Sequence, residues 1–520
     1  DWSVTGVQTC ALPILAPAKG SPAGGGVLLD FGVELQGWVE VFTPMMPDQT
    51  RLRRVRVRFG ESVAEAMSEL GGVRNAGNDH AVRDQEVVLP WLGKKMVGPS
   101  GFRFVRIDNV DTELAVQVSQ VRAVLQLRDV PYLGSFRCDD ARLNRIWEVG
   151  AYTVHLNMQE YLWDGIKRDR LVWVGDLHPE VSTIHAVFGF NAVVPKSLDL
   201  MREVSLPTEW MNGISSYSMW WVQLHEEWWM HHGDLGYLRA QHGYLSALLR
   251  RLATFVDGKG SETLDGMRFL DWPTFENPKA VHEGLQAMLV MTLESGARLC
   301  DTLGDGATAG VCREAVGRLR RHQPEASGRK SPAALLALAG VRDAGVVARE
   351  VLARGGPSDL STFYGFYVLQ ALAVAGETET ALEFIRRYWG GMLDLGATTF
   401  WEDFDLRWAE NAGRIDELVP EGKKDVHGDF GAHCYVGFRH SLCHGWASGP
   451  TAWLSQHVLG VRPLEPGFRK VQVRPKLGGL KWAEGGYPTP RGVLKVRHER
   501  GADGTVVSSI QAPEGVEVVR

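Results

Sequence analysis

A chain of 520 residues is too long for one hydrophobic core and should divide into roughly two to four domains. Its 44% hydrophobic and 23% charged residues suit a globular protein, and a formal net charge of −6 gives no electrostatic reason to bind nucleic acid or an anionic membrane. No apolar run is long enough to span a bilayer as a helix, and the 6 cysteines lack CxxC pairing and metal-ligand spacing.

Val4 to Ile14 read VTGVQTCALPI, whose back-translation resembles a common sequencing-adapter oligonucleotide. Residues 1–24 are therefore expected to be a fused artefact or disordered, which leaves the compartment open. Residues 25–130 read as β-structure. Val27–Phe31, Trp38–Phe42, Leu52–Phe59, Glu86–Leu89, Phe102–Asp108 and Ala115–Val124 are short apolar segments with Gly, Pro, Asn and Asp between them, as in a β-sandwich or jelly roll.

From 131 to 460 apolar residues recur at helical spacing. Asp139-Asp140 is a plausible helix start ahead of the stripe Leu143, Ile146, Trp147 and Ala151. Met219–His231, Tyr237–Phe255, Ala280–Leu303, Ala333–Leu338, Phe366–Ala375 and Thr380–Tyr388 read similarly, and many helices with short connections fit a helical barrel better than alternating α/β. Residues 461–520 turn to strands again, predicting a closing C-terminal β-sandwich. The 18 Trp outnumber the 11 Tyr, and a flat apolar face with one N–H donor suits stacking on sugar rings.

Three constellations carry chemistry. Asp164 to Asp176 (DGIKRDRLVWVGD) sets three carboxylates and three cations around Trp173 between apolar segments. Such charges are partly buried and paired, with the displaced pKa values that acid–base catalysis uses; a structural ion-pair network would read the same. Thr398 to Asp405 (TTFWEDFD) joins acidic groups to aromatics, and His440 to Ala447 (HSLCHGWA) adds His444. His225-Glu226-Glu227-Trp228-Trp229 lacks the second histidine of an H-E-x-x-H zinc site, and no P-loop or GxGxxG follows a strand. No metal or cofactor is indicated.

The first run resembles the motif D-x-x-x-R-[ED]-R-x-x-W-x-G-D of the α-L-rhamnosidases of glycoside hydrolase family 78, with Asp164, Arg168, Arg170, Trp173, Gly175 and Asp176 in register. The second is similar to that family's G-A-T-T-x-W-E-x-x-D, the third to its S-L-x-H-x-A-x-G, and Pro466-Gly467-Phe468 onward to the entry of its C-terminal sandwich. The resemblance implies an (α/α)6 six-hairpin barrel between two β-sandwiches and an inverting exo-glycosidase acting on a carbohydrate. It implies Asp169 as general acid and Glu402 as general base. Asp164 and Asp176 would hold the sugar and tune the acid, Trp173 and Trp272 would form apolar walls, and Arg168, Trp401 and His444 would complete the substrate contacts.

Three features depart from the pattern. The acid position is usually Glu, and Asp169 is one methylene shorter. The run Asp164-Gly165-Ile166-Lys167 stands where the family commonly has D-C-P, and the Lys167 cation could lower a neighbouring carboxyl pKa. A long polar segment, 407–438, containing His427, His433 and Tyr435, separates Glu402 from the histidine motif and could reshape the rim. Another (α/α)6 glycosidase, a polysaccharide lyase, or a sugar-binding homologue without catalysis are the competing readings.

Overall fold

The computed structural model describes residues 25–111 and 113–520, with strand pieces at Trp2–Ser3 and Ile14–Leu15. These pieces pair with Leu127–Arg128 and Val116–Gln117. The rest of 1–24, where the sequence suggests an artefact, lies outside the described residues.

The N-terminal β-domain is built on a five-stranded antiparallel sheet in the order Asp84–Leu89, Arg53–Gly60, Gly93–Asn109, Gly26–Thr43, Gln120–Leu125. Val39, Val41, Val55, Val57, Val105 and Ile107 are fully buried in its core. The two predicted segments Val27–Phe31 and Trp38–Phe42 are one long strand, interrupted by irregularities between Asp30 and Leu35 and between Gly37 and Val39. Such bulges bend a strand without ending it, so turn-like residues there misled the sequence reading.

The helical domain closes on itself. Six inner helices, Leu177–Val187, Ser215–His232, Pro278–Leu303, Lys330–Leu338, Gly365–Val374 and Gly449–Trp453, each pack on the next, and the last packs back on the first. Ala141–Asn157, Val193–Val204, Leu235–Thr254, Gly306–Leu319, Ala344–Leu352 and Thr378–Asp394 alternate with them along the chain. This is the six-hairpin barrel. Caps set the boundaries. Asp140 accepts from the amides of Arg142 and Leu143, and Asp234, Asn277 and Asp305 cap three further helices. Ser215–His232 stops at Gly233, whose φ of 65° is left-handed, a conformation glycine adopts without a Cβ penalty. Trp220 and Trp221 are fully buried, so this helix uses its aromatics as core.

The C-terminal domain pairs a three-stranded with a four-stranded sheet. Ser135–Cys138, inside the predicted helical domain, is an edge strand of the larger one, against Trp482–Thr489. The chain thus visits the C-terminal domain before it enters the barrel, a long-range pairing that four residues of local sequence do not signal.

Candidate active site

Asp176 and Ile214, which immediately precede the inner helices Leu177–Val187 and Ser215–His232, lie at one mouth of the barrel. A cavity of about 300 Å³ opens there, lined among others by Asp164, Arg168, Asp169, Trp173, Asp176, Trp272, Glu402 and His444. Three chain segments meet beneath it. Gly165 bridges His444, the Gly445 amide donates to the Asp164 carbonyl (2.8 Å), and the Glu402 amide donates to the Ser441 carbonyl (3.0 Å). The loop 164–171 is closed by the Leu171 amide on Asp164 Oδ1 (2.9 Å) and the Asp164 amide on the Leu171 carbonyl (3.1 Å). At its turn Asp169 and Arg170 both have φ of 54°. Two successive non-glycine residues in the left-handed region are strained, a state that persists where surrounding contacts enforce it and that clusters at functional sites.

Glu402 is buried. Its Oε1 accepts from Arg168 Nη2 at 2.6 Å and its Oε2 from the Ser441 amide at 3.1 Å. Burial raises its pKa, while the Arg168 guanidinium and the Ser441 amide oppose that rise. The other end of the same guanidinium, Nη1, is 3.8 Å from Asp169 Oδ1, and its face covers the Tyr435 ring at 5.2 Å. Asp169 is the more accessible carboxylate, its side chain 20% exposed against 3% for Glu402.

Asp164 and Asp176 are buried. Burial and the charges of Asp176 and Asp169 push Asp164 well above the ordinary carboxylate range. Burial does the same to Asp176, against a 2.7 Å hydrogen bond from Tyr217. His444 Nε2 faces Glu402 (3.5 Å), Asp164 (3.8 Å) and Asp176 (3.9 Å). Burial, then Arg168, hold this imidazole well below its usual value, so it is neutral near pH 7 and offers one N–H. Trp173, Trp272, Phe269, Met267 and Trp446 give the cavity its apolar lining, and the Trp272 indole N–H donates to Tyr435 Oη.

Of the candidate catalytic and substrate-contacting residues, Trp401 alone does not line the cavity. It is 1% exposed and packs edge-on against Phe404 and His440, because its neighbour Glu402 takes the inward direction. Lys167 likewise turns away from Asp169. Its Nζ lies 2.9 Å from Glu65, 3.4 Å from Glu61 and 2.8 Å from the His440 carbonyl, joining the β-domain to the barrel. Residues that sequence reasoning missed are Asn212, Tyr217 and Trp446. Asn212, at φ 55°, clamps the 164–176 loop by accepting from the Val174 amide (3.1 Å) and donating to the Val172 carbonyl (3.0 Å). Trp446 donates to the Glu402 carbonyl at 2.9 Å and was visible only as a neighbour of His444. Tyr435 does come from the long polar segment that was expected at the rim.

Two groups elsewhere bring His and carboxylate atoms close enough for a metal, Glu61–Glu65–His427 and His185–Glu227–His231. The Lys167 ammonium already serves as the cation of the first. In the second the His185 and His231 rings stack at 3.8 Å and 12°, which keeps both from aiming in-plane lone pairs at one ion. Neither lines the cavity.

The family model of the bacterial alpha-L-rhamnosidase 6 hairpin glycosidase domain matches residues 131–322, and that of the bacterial alpha-L-rhamnosidase C-terminal domain matches 460–519. The chain is 23% identical over 530 aligned positions to an alpha-L-rhamnosidase of Alteromonas sp. (strain LOR), covering 93% of this chain and 54% of that protein. Its fold is similar to a family 78 rhamnosidase of Bacillus sp. GL1 (TM-score 0.77, 23% identity, 95% of this chain and 52% of that one). It is also similar to a Klebsiella oxytoca rhamnosidase with rhamnose bound (TM-score 0.69, 19% identity, 86% and 96%). The chain spans about half the length of the Alteromonas relative. Both domain models match in the expected order, and the chain shares its fold with these rhamnosidases.

Proposed function

We propose that the chain is an inverting exo-glycoside hydrolase that removes a terminal α-L-rhamnosyl, or closely related, residue from a glycan or glycoside. The observation that carries this reading is the pair Asp169 and Glu402 on either side of one guanidinium, facing one small cavity. A guanidinium between two carboxylates suits the roughly 6.5–9.5 Å separation that leaves room for a water in an inverting mechanism. A cavity of about 300 Å³ is at the small end for ligand sites, which favours one sugar residue over a bound chain.

In this mechanism Glu402, kept anionic by Arg168 and the Ser441 amide, takes a proton from a water on one face of the sugar. Asp169, at the open rim, gives a proton to the departing glycosidic oxygen. Asp164 and Asp176 accept or donate hydrogen bonds to sugar hydroxyls according to their protonation, and neutral His444 donates one more. The lyase reading fits less well. Burial pushes the phenols of Tyr217 and Tyr435 well above their ordinary range, away from what a proton-abstracting base requires.

The test is release of p-nitrophenol from p-nitrophenyl α-L-rhamnoside by wild type, Asp169→Asn and Glu402→Gln, with the product anomer followed by NMR. Turnover with inversion, falling about 100-fold or more in Glu402→Gln, is expected. Retention of configuration would sink the inverting assignment. Turnover of another glycoside alone would keep the mechanism and reject rhamnose, and silence across a panel would favour a binding homologue.

A further inference from the structure

Asp169 meets a residue of the N-terminal β-domain that neither the motifs nor the cavity lining include. His80 Nδ1 lies 3.2 Å from Asp169 Oδ1 and also 3.2 Å from the Asp169 amide nitrogen. Its other nitrogen, Nε2, is 3.3 Å from Asp79 Oδ2 and 3.3 Å from Arg439 Nη2, and Arg439 in turn holds Asp79. The His80 carbonyl accepts from Arg170 Nη2 at 2.6 Å. The imidazole is thus gripped on three sides while its side chain stays 28% exposed.

The two contacts of Nδ1 require opposite things of it. The Asp169 amide can donate only to a bare Nδ1, whereas an ionised carboxylate approaches only a protonated one. One shared proton reconciles them. With the proton on Asp169, both the amide and the carboxylic O–H donate to the Nδ1 lone pair, and Nε2–H is donated to Asp79. With the proton on Nδ1, the imidazolium donates to Asp169 on one side and Asp79 on the other, and the Asp169 amide gives up its acceptor. The two states differ by the transfer of one proton across a single contact.

Resting on the reading of Asp169 as general acid, we propose that His80 is a positioning residue that stores and returns the proton Asp169 delivers. Each turnover leaves Asp169 without its proton, beside the Arg168 cation at 3.8 Å, and His80 is the neighbour placed to return it. In the step itself, the Asp169 O–H bond breaks and an O–H bond forms on the leaving oxygen. The glycosidic C–O bond cleaves with its electron pair going to that oxygen. The pair is then one proton short: solvent at the exposed edge of His80 protonates the imidazole, and Nδ1 passes that proton to the Asp169 carboxylate.

The experiment compares wild type, His80→Gln, His80→Ala and Asp169→Asn, as full chains, on p-nitrophenyl and methyl α-L-rhamnosides. Nitrophenolate departs with little protonation, whereas methanol needs the acid. His80→Gln is expected to lose about 10- to 100-fold in kcat/KM on the methyl glycoside and under about threefold on the nitrophenyl one. The basic limb of its pH profile should move, and added imidazole should restore part of the His80→Ala rate. Equal losses on both substrates with an unmoved pH profile would reduce His80 to a structural role and overturn the proposal. Asp169→Asn turning over the methyl glycoside at the wild-type rate would instead overturn the acid assignment beneath it. A readout free of turnover is heteronuclear NMR of the two side chains. The His80 imidazole and the Asp169 carboxyl should titrate in common steps, and independent titration would refute the shared proton.

Discussion

Arg168 and Glu402 lie 234 positions apart, and Arg168 Nη2 meets Glu402 Oε1 at 2.6 Å, both side chains under 10% exposed. The pair joins the loop that follows the first barrel helix to the segment that precedes the last one. A buried carboxylate without such a partner would take up a proton rather than remain charged. Arg168 therefore keeps the proposed base ready as much as it shapes the cavity.

Arg168→Gln removes the charge that holds the Glu402 pKa down, and burial then acts with less opposition. The base is protonated over a wider acid range. The acidic limb of the kcat/KM profile should move to higher pH, with a loss at the optimum of about 100-fold or more. Rates of glycoside hydrolysis from pH 4 to 9 check this, and an unmoved acidic limb would remove Glu402 from the role of base.

Glu180, one turn into the helix that Asp176 begins, is fully buried, and neither carboxyl oxygen has a hydrogen-bond partner among the described residues. Burial, with the charges of Asp176 and Asp164, pushes its pKa well above the ordinary value of 4.5. The folded chain then binds a proton that the unfolded chain releases, so stability is full below pH 4 and falls as pH rises. Glu180→Gln should raise the melting temperature at pH 8 by a few degrees and change it little at pH 4. Calorimetry at the two pH values is the check.

Lys167 is the cation between Glu61 and Glu65, whose carboxyls move in opposite directions. Burial pushes Glu61 up to about 7, whereas Arg83 and Lys167 outweigh burial at Glu65 and bring it down to about 2. Lys167→Met leaves the two acids without their shared charge and should cost about 3–5 kcal/mol. Adding Glu65→Gln should recover part of that loss. Denaturant titration of the single and double variants measures the coupling.

Gly175→Ala should be damaging for reasons of space rather than backbone conformation. A Cβ there would stand 2.2 Å from Cε1 and 2.4 Å from Cδ1 of Tyr217. That ring is buried and donates to Asp176, so it cannot yield without releasing the carboxylate. A loss of about 100-fold in kcat/KM is expected, with about 1–3 kcal/mol of stability. An Ala variant with wild-type kinetics would show that the Tyr217–Asp176 contact is dispensable.

Local sequence alone determined the barrel helices and the main loop of the site. Apolar periodicity and the Asp140 cap mark helix positions because both act within one or two turns. Asp164, Arg168, Asp169, Trp173 and Asp176 fall within one stretch of 13 residues, so their proximity follows from chain connectivity. What only the tertiary structure decided is how distant segments meet that loop. His80 comes from another domain and Tyr217 from the second inner helix. Lys167 leaves the carboxylate beside it in sequence for Glu61 and Glu65, over 100 positions away. Trp401 and Glu402 are adjacent, yet one is core and the other faces the cavity. Neighbouring side chains point in different directions, and the closure of the ring alone determines which direction is inward.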